Sequence, residues 1–436
     1  MKIGILGGGL TGLTIAFFLK KNYEILEKNE ECGGLCRSIQ ENGFTFDYGG
    51  AHIIFSRNKK PVNFMVKTLG KNYVRGRRNN KIFFKEKFVK YPFENGLSDL
   101  PKVDTFECLY YYLKNNSTKP NNFKEWIYYT FGKGIAEKYL IPYNDKIWNY
   151  DTEKMSLHWV EGRVPKPPLE DVIKSAIGIE TEGYTHQLYF YYPKRGGIQA
   201  LINAMEDKVS NVFKNFEVKR IEKNGNKWIV SNGKEKKEFE QLVSTIPLFD
   251  LTNAIDNIPK KILNAINQLR YNSLITVMLG IDKPKINDFT AIYFPNKNFL
   301  PHRVGFPMNF SEYNVPQGMS SLVAEITANS GDGLWELNDE KIIEHVVTGL
   351  NEMKILNKKN VCYSRVIRSK YAYVVYNLGY LKNIKIIKEY LTNIGIELCG
   401  RFSEFEYLNM DACIERGMTI VEKLNLERRM KCENAI

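Results

Sequence analysis

Residues 2–34, KIGILGGGLTGLTIAFFLKKNYEILEKNEECGG, decide the fold of this protein. Apolar residues from Ile3 to Leu6 are typical of a short buried strand, and the run from Leu13 to Leu19 is apolar enough for a packed helix. A glycine-rich turn separates these two elements, and Tyr23 to Glu27 reads as a second strand. The order strand, turn, helix, strand predicts the start of an α/β domain with a parallel sheet.

Three glycines in the turn have the spacing G-x-G-x-x-G. In a dinucleotide-binding turn of this kind, Gly7 permits the tight turn, Gly9 lets the backbone approach a pyrophosphate, and Gly12 lets the helix pack closely on the strand. The unpaired amides at the helix N-terminus then face the phosphates. Glu27 stands twenty residues after Gly7, where a carboxylate accepts hydrogen bonds from a ribose. The combination predicts a dinucleotide site rather than a glycine-rich turn without a ligand.

Length and charge limit the other functions. The chain has 436 residues, which exceeds the usual size of one core and predicts two or three domains. Its formal charge is +13, but the lysines are scattered and form no dense block. We therefore expect a solvated, lysine-rich surface that attracts small phosphorylated substrates, and we expect no nucleic acid as a partner.

Cysteine usage and hydropathy indicate the compartment. The seven cysteines have irregular spacing and complete no metal site, which predicts free thiols in a reducing cytosol. Cys32 and Cys36 could form a redox pair, although incidental cysteines fit their spacing better. The N-terminus lacks a signal-peptide pattern, and no apolar stretch reaches the roughly 18 residues of a transmembrane helix. We expect a cytoplasmic protein without a transmembrane segment.

The next two stretches indicate which dinucleotide is bound. They are ECGGLCRS, residues 31–38, and GFTFDYGGAH, residues 43–52. Both resemble the second fingerprint of FAD-containing amine oxidases, protoporphyrinogen oxidases and UDP-galactopyranose mutases. By this resemblance Gly34 and Arg37 lie along the pyrophosphate and flavin, and the segment ending at Gly50 runs by the isoalloxazine ring. FAD is the expected cofactor.

A later segment completes the expected FAD domain. Residues 216–246 read as alternating strands with a turn at Asn224-Gly225, ending in an apolar strand from Leu242 to Ile246. In the families named above such a meander closes the FAD domain. The resemblance implies that Val218 lies near the adenine.

Five further segments select one of these families. They are KYPFENGLSDLP (90–101), FGKGIAEKYLIPYNDKIW (131–148), LHWVEGRVPKP (157–167), YYPKRGGIQAL (191–201) and GRFSEFEYLNMDACI (400–414). Similar segments occur in this order in UDP-galactopyranose mutases, and the resemblance runs from residue 1 to about residue 421.

This resemblance implies an FAD-dependent isomerase of a nucleotide-linked sugar. In that family the N5 atom of reduced flavin forms a covalent adduct with the sugar, and the pyranose and furanose rings interconvert. The product in that family, galactofuranose, serves cell-surface polysaccharide biosynthesis. The enzyme works with reduced FAD, for which NAD(P)H is a candidate reductant. Because the cofactor is the nucleophile, the protein binds, orients and stabilises charge.

Two arginines match the family's pyrophosphate ligands, and together with His52 they are our catalytic candidates. Arg163 lies in WVEGRV and Arg303 in LPHRVGF, with Tyr293 ten residues upstream in the matching place. A guanidinium fork suits a diphosphate leaving group because it pairs bidentately and stays charged. The alternative for each arginine is a surface salt bridge.

Asn144 and Trp148 stand four residues apart after a helical run that reaches Tyr139. We predict that Pro142 ends regular structure, so that the following residues turn inward at a cleft. By resemblance Asn144 and Trp148 line the sugar and nucleotide site, where Trp offers a flat face and Asn both a donor and an acceptor. Core packing would explain Trp148 but not Asn144.

The remaining site candidates also come from the resemblance. Tyr407 matches a tyrosine that contacts the diphosphate, Arg401 borders the flavin, and Tyr373 occupies another substrate position, with core packing as its alternative. His52 matches a histidine whose backbone lies at flavin N5; a lone histidine is more often structural. Asp411 either lies near the ribityl and pyrophosphate or simply caps the last helix.

Several departures from the family pattern leave the substrate open. Glu94, three residues after Tyr91, replaces a glutamine of the uracil pocket, and an ionised carboxylate cannot donate as an amide does. Gln187 stands where asparagine is usual. Asn409 replaces an acid, and Ala51 is an extra residue before His52. Together they suggest another nucleotide, another sugar or a related reaction such as epimerisation.

The predicted architecture is α/β, with a Rossmann-like FAD-binding domain, an inserted helical domain and a sheet-based substrate domain. The FAD-binding domain comprises residues 1–90, 196–245 and 398–436. The helical insertion spans 91–168, with helical runs at 103–113 and 123–139. The substrate domain comprises 169–195 and 246–397, with strands at 184–192 and 273–281.

Three functions remain open at this point. The first is the nucleotide-sugar isomerase. The second is an FAD-dependent oxidoreductase of the amine oxidase or protoporphyrinogen oxidase type, which needs an apolar or amine-binding pocket. The third is a flavin-binding protein without chemistry, supported only by the departures at Glu94 and Asn409. The sequence also leaves open whether two copies associate as a homodimer.

Overall fold

The computed structural model describes residues 2–160, 163–164, 166–183 and 185–433. The helices are α1 Leu10–Leu19, α2 Lys59–Leu69, α3 Lys102–Leu113, α4 Phe123–Ile135, α5 Ile141–Trp148, α6 Leu169–Ala176, α7 Gln199–Glu206, α8 Leu248–Ala254, α9 Lys260–Asn267, α10 Asp339–Glu352, α11 Tyr380–Ile394 and α12 Met410–Glu433.

The strands are β1 Ile3–Leu6, β2 Tyr23–Leu26, β3 Ser38–Glu41, β4 Phe44–Asp47, β5 Tyr73–Arg77, β6 Asn80–Phe84, β7 Lys87–Lys90, β8 Tyr189–Pro193, β9 Val212–Phe213, β10 Arg220–Asn224, β11 Lys227–Ser231, β12 Lys236–Phe239, β13 Gln241–Ser244, β14 Arg270–Ile281, β15 Ala291–Tyr293, β16 Arg303–Gly305, β17 Ser320–Ala328, β18 Val361–Val375 and β19 Ile396–Leu398. The fold is mixed α/β, as predicted.

A parallel sheet carries the N-terminal turn, in the order β19-β13-β1-β2-β9. All four residues of β1 are buried, because α1 packs on one face of this sheet and strands β11 and β12 pack on the other. Helix α1 packs against α12, which brings the C-terminal helix onto the glycine turn. The predicted meander forms β10, β11 and β12, with β13 entering the parallel sheet.

A seven-stranded sheet forms the second layer, in the order β18-β14-β17-β16-β15-β6-β7. Strands β6 and β7 belong to this sheet because β6 pairs with β15. The sequence prediction had grouped residues 80–90 with the FAD-binding domain. The period-two pattern of that segment indicates strands, but it does not say which sheet they join.

The helical region contains α3 to α6, close to the predicted runs. One prediction here is wrong: Pro142 does not end regular structure, because it is the second residue of α5. A π-helical turn from Ala136 to Leu140 joins α4 to α5. Pro142 lies just after this π-helical turn, an irregularity in the helical hydrogen-bond pattern at which a residue without an N–H group is accommodated.

The strand predicted for residues 184–192 is shorter and later. Tyr184 lies outside the described residues, Thr185–Gln187 is a 3₁₀ turn, and the strand is Tyr189–Pro193. This strand pairs with β5 as a two-stranded ribbon. Among the described residues, no helix combines the length and apolarity needed to cross a bilayer.

Candidate active site

Two glycine turns lie against each other at the carboxyl end of β1. The Gly33 amide donates to the Gly8 carbonyl at 2.9 Å, and Gly9 pairs with Gly33. A Cβ on Gly9 would have no atom within 4 Å, whereas a Cβ on Gly12 would lie 2.0 Å from the Gly7 carbonyl oxygen. Gly12 therefore permits the close packing of α1, and Gly9 borders open space.

Glu27 is buried at the end of β2, beside this open space. Its carboxylate accepts hydrogen bonds from the Gly8 amide at 2.7 Å and from the Asn29 amide at 2.9 Å. The Phe216 amide donates to the Glu27 carbonyl, so the chain leading to Val218 passes the end of β2. The predicted ribose and adenine residues thus lie at one end of the turn.

These features fit a bound FAD. The backbone of Gly9 and Gly34 is open on its outer side, and the first amides of α1 have no intrahelical acceptor. Arg37 lies next to this cradle, where its Nε donates to the Gly34 carbonyl at 3.1 Å. Its guanidinium also lies over the ring of Tyr48, 4.4 Å from the centroid. Contact of these residues with FAD stays a prediction.

Asp47 holds the loop that leads from Gly49 to His52. Its buried carboxylate accepts hydrogen bonds from the hydroxyl of Tyr192 and from the amides of Ile198 and His52. The His52 ring is 2.7 Å from the Gly50 carbonyl through Nδ1, which must be the donor. Burial lowers the pKa of His52 to about 4, so the imidazole is neutral at pH 7 and its Nε2 is an acceptor.

Gly50 touches the most buried charge of the site. A Cβ on Gly50 would lie 2.7 Å from the carboxylate of Glu325, a residue of β17 with no exposed surface. Glu325 accepts two hydrogen bonds from Arg303, through Nε at 2.8 Å and through Nη2 at 2.7 Å. Burial opposes the charge of Arg303, but Glu325 more than offsets this effect, so the pKa of Arg303 is raised.

Aromatic rings connect the predicted substrate residues. Tyr91 and Tyr293 stack with centroids 4.8 Å apart, and Tyr143 meets Tyr293 edge-on at 5.6 Å. A second group joins Tyr373 and Tyr407, stacked at 5.8 Å, with Trp148 edge-on to both. The structure therefore brings together side chains from five distant segments of the sequence.

His302 links the two aromatic groups. Its ring centroid is 6.4 Å from that of Tyr143 and 6.2 Å from that of Tyr373. Burial, with Arg303 nearby, lowers the pKa of His302 well below its ordinary value, so the ring is neutral. Nδ1 lies 3.2 Å from the Thr327 hydroxyl, while the buried Nε2 has no hydrogen-bond partner among the described residues.

Two arginines converge on Tyr407. The guanidinium carbon of Arg163 lies 4.5 Å from the ring centroid of Tyr407, and that of Arg401 lies 4.1 Å from it. Arg401 donates through Nη1 to the Leu408 carbonyl and through Nη2 to the Ala372 carbonyl. Within the described part of the chain, neither guanidinium forms an ion pair with a carboxylate. The result is a half-buried site with two positive charges, and the carboxylate of Glu406 is near enough to favour the charge of Arg163 without forming an ion pair.

The side chains of Asn144 and Trp148 are hydrogen-bonded to each other. The Trp148 Nε1 donates to the Asn144 Oδ1 at 3.1 Å, and the Asn144 Nδ2 donates to the Leu140 carbonyl at 2.8 Å. Because α5 is a continuous helix, the four-residue spacing places the two side chains on one face. Asn144 thus has a structural role that the sequence prediction did not foresee.

Lys146, two residues after Asn144, connects α5 to the large sheet by hydrogen bonds. Its Nζ donates to the carbonyls of Phe294, Asn296 and Pro301 at 2.9, 2.8 and 2.7 Å. These carbonyls lie in the connection between β15 and β16, and β16 begins with Arg303. The helical region is therefore fixed to the segment that carries Arg303.

Glu94 and Gln187, two of the departures from the family pattern, have different surroundings. Glu94 is buried near Tyr91, Tyr112 and Tyr139, and burial raises the pKa of its carboxyl to about 7. Gln187 accepts a hydrogen bond from Nη1 of Arg78 at 3.1 Å. Asp411 is the second residue of α12, and both of its predicted roles remain open.

Sequence reasoning missed Glu325, His302, Tyr143 and Arg78. Glu325 had a readable signal, since it is the only charged residue in the buried strand SSLVAEITA. A charge in such a strand requires a partner. His302 is adjacent to Arg303 in sequence, but nothing in the local pattern indicates where its ring points.

The glycine cradle, the buried acid of β2 and the mixed α/β fold define an FAD-dependent flavoprotein. Residues 10–383 match the family described as flavin containing amine oxidoreductase. The chain belongs to this family.

Solved structures extend the comparison. The chain is similar to a reduced UDP-galactopyranose mutase, with 26% identity and a TM-score of 0.88 over 97% of this chain and 95% of that chain. It is also similar in fold to putrescine oxidase bound to putrescine, with 14% identity and a TM-score of 0.66 over 98% and 99%.

Curated relatives by sequence carry names of oxidoreductases. Coproporphyrinogen III oxidase from Bacillus subtilis is 22% identical over 96% of each chain. The 4,4'-diapolycopen-4-al dehydrogenase of Metabacillus indicus is 24% identical over 81% of this chain and 80% of its own. The proteins that this chain resembles therefore include both a mutase, by structure, and oxidoreductases, by sequence and by structure.

Proposed function

We propose that this flavoenzyme is an isomerase of a nucleotide-linked sugar that works with reduced FAD, similar in reaction to UDP-galactopyranose mutase. The observation that supports it most is the pair of guanidinium groups over Tyr407, neither of which has a carboxylate partner in the described residues. Half-buried positive charges without a partner are costly, and a diphosphate would compensate both.

The chemistry of this cleft distinguishes substrate classes. A protonated amine would be repelled by Arg163 and Arg401, and an apolar polyene would leave both charges uncompensated. A nucleotide diphosphate offers oxygens for the arginines and flat rings for the aromatic side chains. The similarity to UDP-galactopyranose mutase over nearly the whole chain supports the same choice.

Arg303 has a more constrained role in this proposal. Glu325 takes its Nε and Nη2, which orients the guanidinium and leaves Nη1 for a substrate oxygen. We propose that Arg163 and Arg401 bind the diphosphate of the substrate and that Arg303 contacts the sugar. His52, neutral at pH 7, offers Nε2 as an acceptor for a sugar hydroxyl.

FAD would be held by Gly7, Gly9, Gly34 and Glu27, and in its reduced form it supplies a nucleophilic flavin nitrogen for attack at an anomeric carbon. The chain orients the sugar, stabilises the diphosphate and excludes water with the aromatic walls. We propose a nicotinamide dinucleotide as the class of reductant. A panel of nucleotide sugars would identify the nucleotide and the sugar that the protein accepts.

An oxidoreductase of the amine oxidase type is the second candidate. Two observations favour it: the names of the curated relatives and the neutralisation of Arg303 by Glu325. Because Glu325 neutralises Arg303, only Arg163 and Arg401 of these three arginines lack an ion-pair partner among the described residues. This candidate predicts oxygen consumption and a change of two hydrogens in the product mass.

The test uses FAD-loaded protein, reduced with dithionite without oxygen and incubated with a panel of nucleotide sugars. Chromatography with mass spectrometry should find a product of unchanged mass and altered retention. Arg163→Met should keep FAD and lose at least 100-fold in affinity for the accepted nucleotide diphosphate. Arg220→Met, at an exposed arginine of β10, should behave like the unchanged protein.

Two results would contradict the proposal. One is unchanged diphosphate affinity in Arg163→Met. The other is the absence of a mass-conserving product from every nucleotide sugar, together with rapid oxygen consumption on an amine or porphyrinogen. The second result would establish the oxidoreductase in its place.

A further inference from the structure

One long stretch of the chain contains no acidic residue. Between Asp47 and Glu86, residues 48–85 include ten lysines and arginines and neither aspartate nor glutamate. The whole chain has 62 basic and 49 acidic residues, so this stretch concentrates positive charge far beyond the average. It covers α2, β5 and β6. The positive charge is therefore distributed less evenly than we expected from the scattered lysines.

The fold adds two further cations, Lys194 and Arg195, to this stretch. The Arg195 amide donates to Oδ1 of Asn72 at 2.9 Å, and Nδ2 of Asn72 donates to the Arg195 carbonyl at 3.0 Å. The Lys194 amide donates to the Asn72 carbonyl at 3.2 Å. Because β8 pairs antiparallel with β5, the end of β8 lies beside the turn that follows α2.

The ribbon of β5 and β8 has one buried and one exposed side. Val74 packs against the buried rings of Phe190 and Tyr192, whereas Tyr73 and Arg75 are exposed, as strand alternation requires. On α2, Lys60 and Lys67 stand seven residues apart and are also exposed. We call the following eight exposed side chains the cationic face: Lys60, Lys67, Lys71, Tyr73, Arg75, Tyr189, Lys194 and Arg195.

The six cations of this face have no carboxylate partner. Among the described residues, none of them forms an ion pair. Two exposed acids lie nearby: Glu182 pairs with Arg77 at 2.9 Å, and Glu312 is adjacent to Tyr313 in sequence. Six unpaired positive charges on one surface create a local potential that attracts an anionic partner.

The aromatic rings of this region are poorly suited to nucleic acid. The guanidinium carbon of Arg75 lies 4.6 Å from the ring centroid of Tyr189, and that of Arg195 lies 3.8 Å from the centroid of Tyr313. Proteins that bind single strands offer aromatic faces on which bases stack. Here a guanidinium group takes a ring face that a base would need.

The composition of the face fits an anionic bilayer better than an acidic protein. Four of its six cations are lysines, which are depleted in protein interfaces relative to the rest of the surface. Clusters of about four to eight lysines and arginines bind anionic lipid headgroups. Tyr73 and Tyr189 are 39% and 48% exposed. Tyrosine is enriched at membrane–water interfaces, where its amphipathic ring lies at the level of the headgroups.

We propose that the cationic face docks this protein on a bilayer of anionic phospholipids. The lysines and arginines pair with the lipid phosphates, and Tyr73 and Tyr189 lie among the headgroups. The proposal does not depend on the reaction, because the face includes none of the residues assigned to the cleft.

The test measures co-sedimentation of the full-length, FAD-loaded protein with vesicles. The unchanged protein should bind vesicles made of equal parts of phosphatidylglycerol and phosphatidylcholine, and it should not bind pure phosphatidylcholine. Binding should be lost in about 1 M NaCl, where the Debye length falls to about 3 Å. The same vesicles are then offered to two charge-reversal variants.

The face variant reverses four cations of the cationic face, and the control variant reverses four exposed lysines on α9 and in the turn before β18. Both variants have the same net charge and should keep FAD content and thermal midpoint. The face variant should bind at least about 100-fold more weakly, and the control should bind nearly as tightly as the unchanged protein. The face variant is Lys71→Glu, Arg75→Glu, Lys194→Glu and Arg195→Glu; the control is Lys260→Glu, Lys261→Glu, Lys358→Glu and Lys359→Glu.

A fluorescent label gives a second measurement should the face variant fold poorly. Tyr73→Cys, made with Cys362→Ser and Cys432→Ser, carries an environment-sensitive dye whose emission should move to shorter wavelength when the phosphatidylglycerol vesicles are added. The same dye on Leu381→Cys, at a side chain that is 55% exposed on α11, should not respond.

Three results would overturn the proposal. The first is that the unchanged protein does not bind the phosphatidylglycerol vesicles. The second is equal binding of the face variant and the control variant, or an equal response of the two dyes. The third is release of the protein from the vesicles by a lower concentration of anionic charge when this is supplied as single-stranded oligouridylate or polyglutamate, which would assign the face to nucleic acid or to an acidic protein.

Discussion

The proposed cofactor half and the proposed substrate half of the candidate site, called below the cofactor half and the substrate half, are built differently. The cofactor half consists of backbone from short continuous stretches, in which Gly9 and Gly33 pair and Glu27 fixes the Gly8 amide. The substrate half consists of side chains from distant segments, such as Tyr91, Arg163 and Tyr407. A backbone site depends on which residues lack a side chain, whereas a side-chain site depends on how separate elements pack. The two halves should therefore respond differently to mutation.

Gly12→Ala should have the broadest effect, because it changes both the folding stability and the binding of FAD. The added Cβ would lie 2.0 Å from the Gly7 carbonyl oxygen, so α1 must move away from the turn. We expect destabilisation of about 3 kcal/mol, together with loss of FAD. Flavin absorbance per protein and urea unfolding measure both quantities.

Gly9→Ala is the matched control for Gly12→Ala. Its Cβ would meet no atom within 4 Å, so the unfolding midpoint should stay unchanged while FAD affinity falls at least tenfold. Full FAD affinity in Gly9→Ala would show that the cofactor does not approach this turn.

Glu325→Ala tests the buried ion pair of the substrate half. It would leave the Arg303 guanidinium without its bidentate partner, at an expected cost of about 3–5 kcal/mol in urea unfolding. Arg163→Met loses no ion pair with a described residue, so its cost should stay below about 1 kcal/mol. Equal costs would mean that Arg163 also has a buried partner.

Glu94→Gln tests the buried carboxyl. Burial raises its pKa from 4.5 to about 7, so the native state holds a proton that the unfolded chain has released between these values. The stability that this group contributes is complete below pH 4.5 and is lost as the pH rises to 7. The variant should therefore match the unchanged protein at pH 4.5 and exceed its stability by about 3 kcal/mol at pH 8. An identical pH dependence in both proteins would show that the carboxyl is solvated.

Asn144→Ala should have the smallest effect. It removes the bonds to Trp148 Nε1 and the Leu140 carbonyl and should cost about 1 kcal/mol. In a double-mutant cycle with Trp148→Phe, about half of this cost should appear as coupling. A large loss of nucleotide affinity without a stability change would restore Asn144 as a ligand contact.

The local geometry of the glycine turns and of Glu27 was predictable from the sequence, whereas the contacts among the side chains of the cleft were not. Gly7, Gly9, Gly12 and Glu27 act through spacing along one βαβ unit, which a sequence displays directly. Tyr143 and His302 join the site because α5 packs against the connection before β16, a contact that Lys146 secures. The prediction for Pro142 was wrong because a π-helical turn just before it continues into α5, and the local sequence pattern does not reveal such a turn.

The sequence by itself determined the α/β class, the position of the dinucleotide turn and the segments that contribute to the cleft. Only the tertiary structure decided that residues 80–90 join the large sheet, that Glu325 neutralises Arg303 and that Asn144 accepts a hydrogen bond from Trp148. The physical reason is range: strand, turn and helix patterns depend on neighbouring residues. The partner of a buried charge or amide depends instead on which distant elements pack around it.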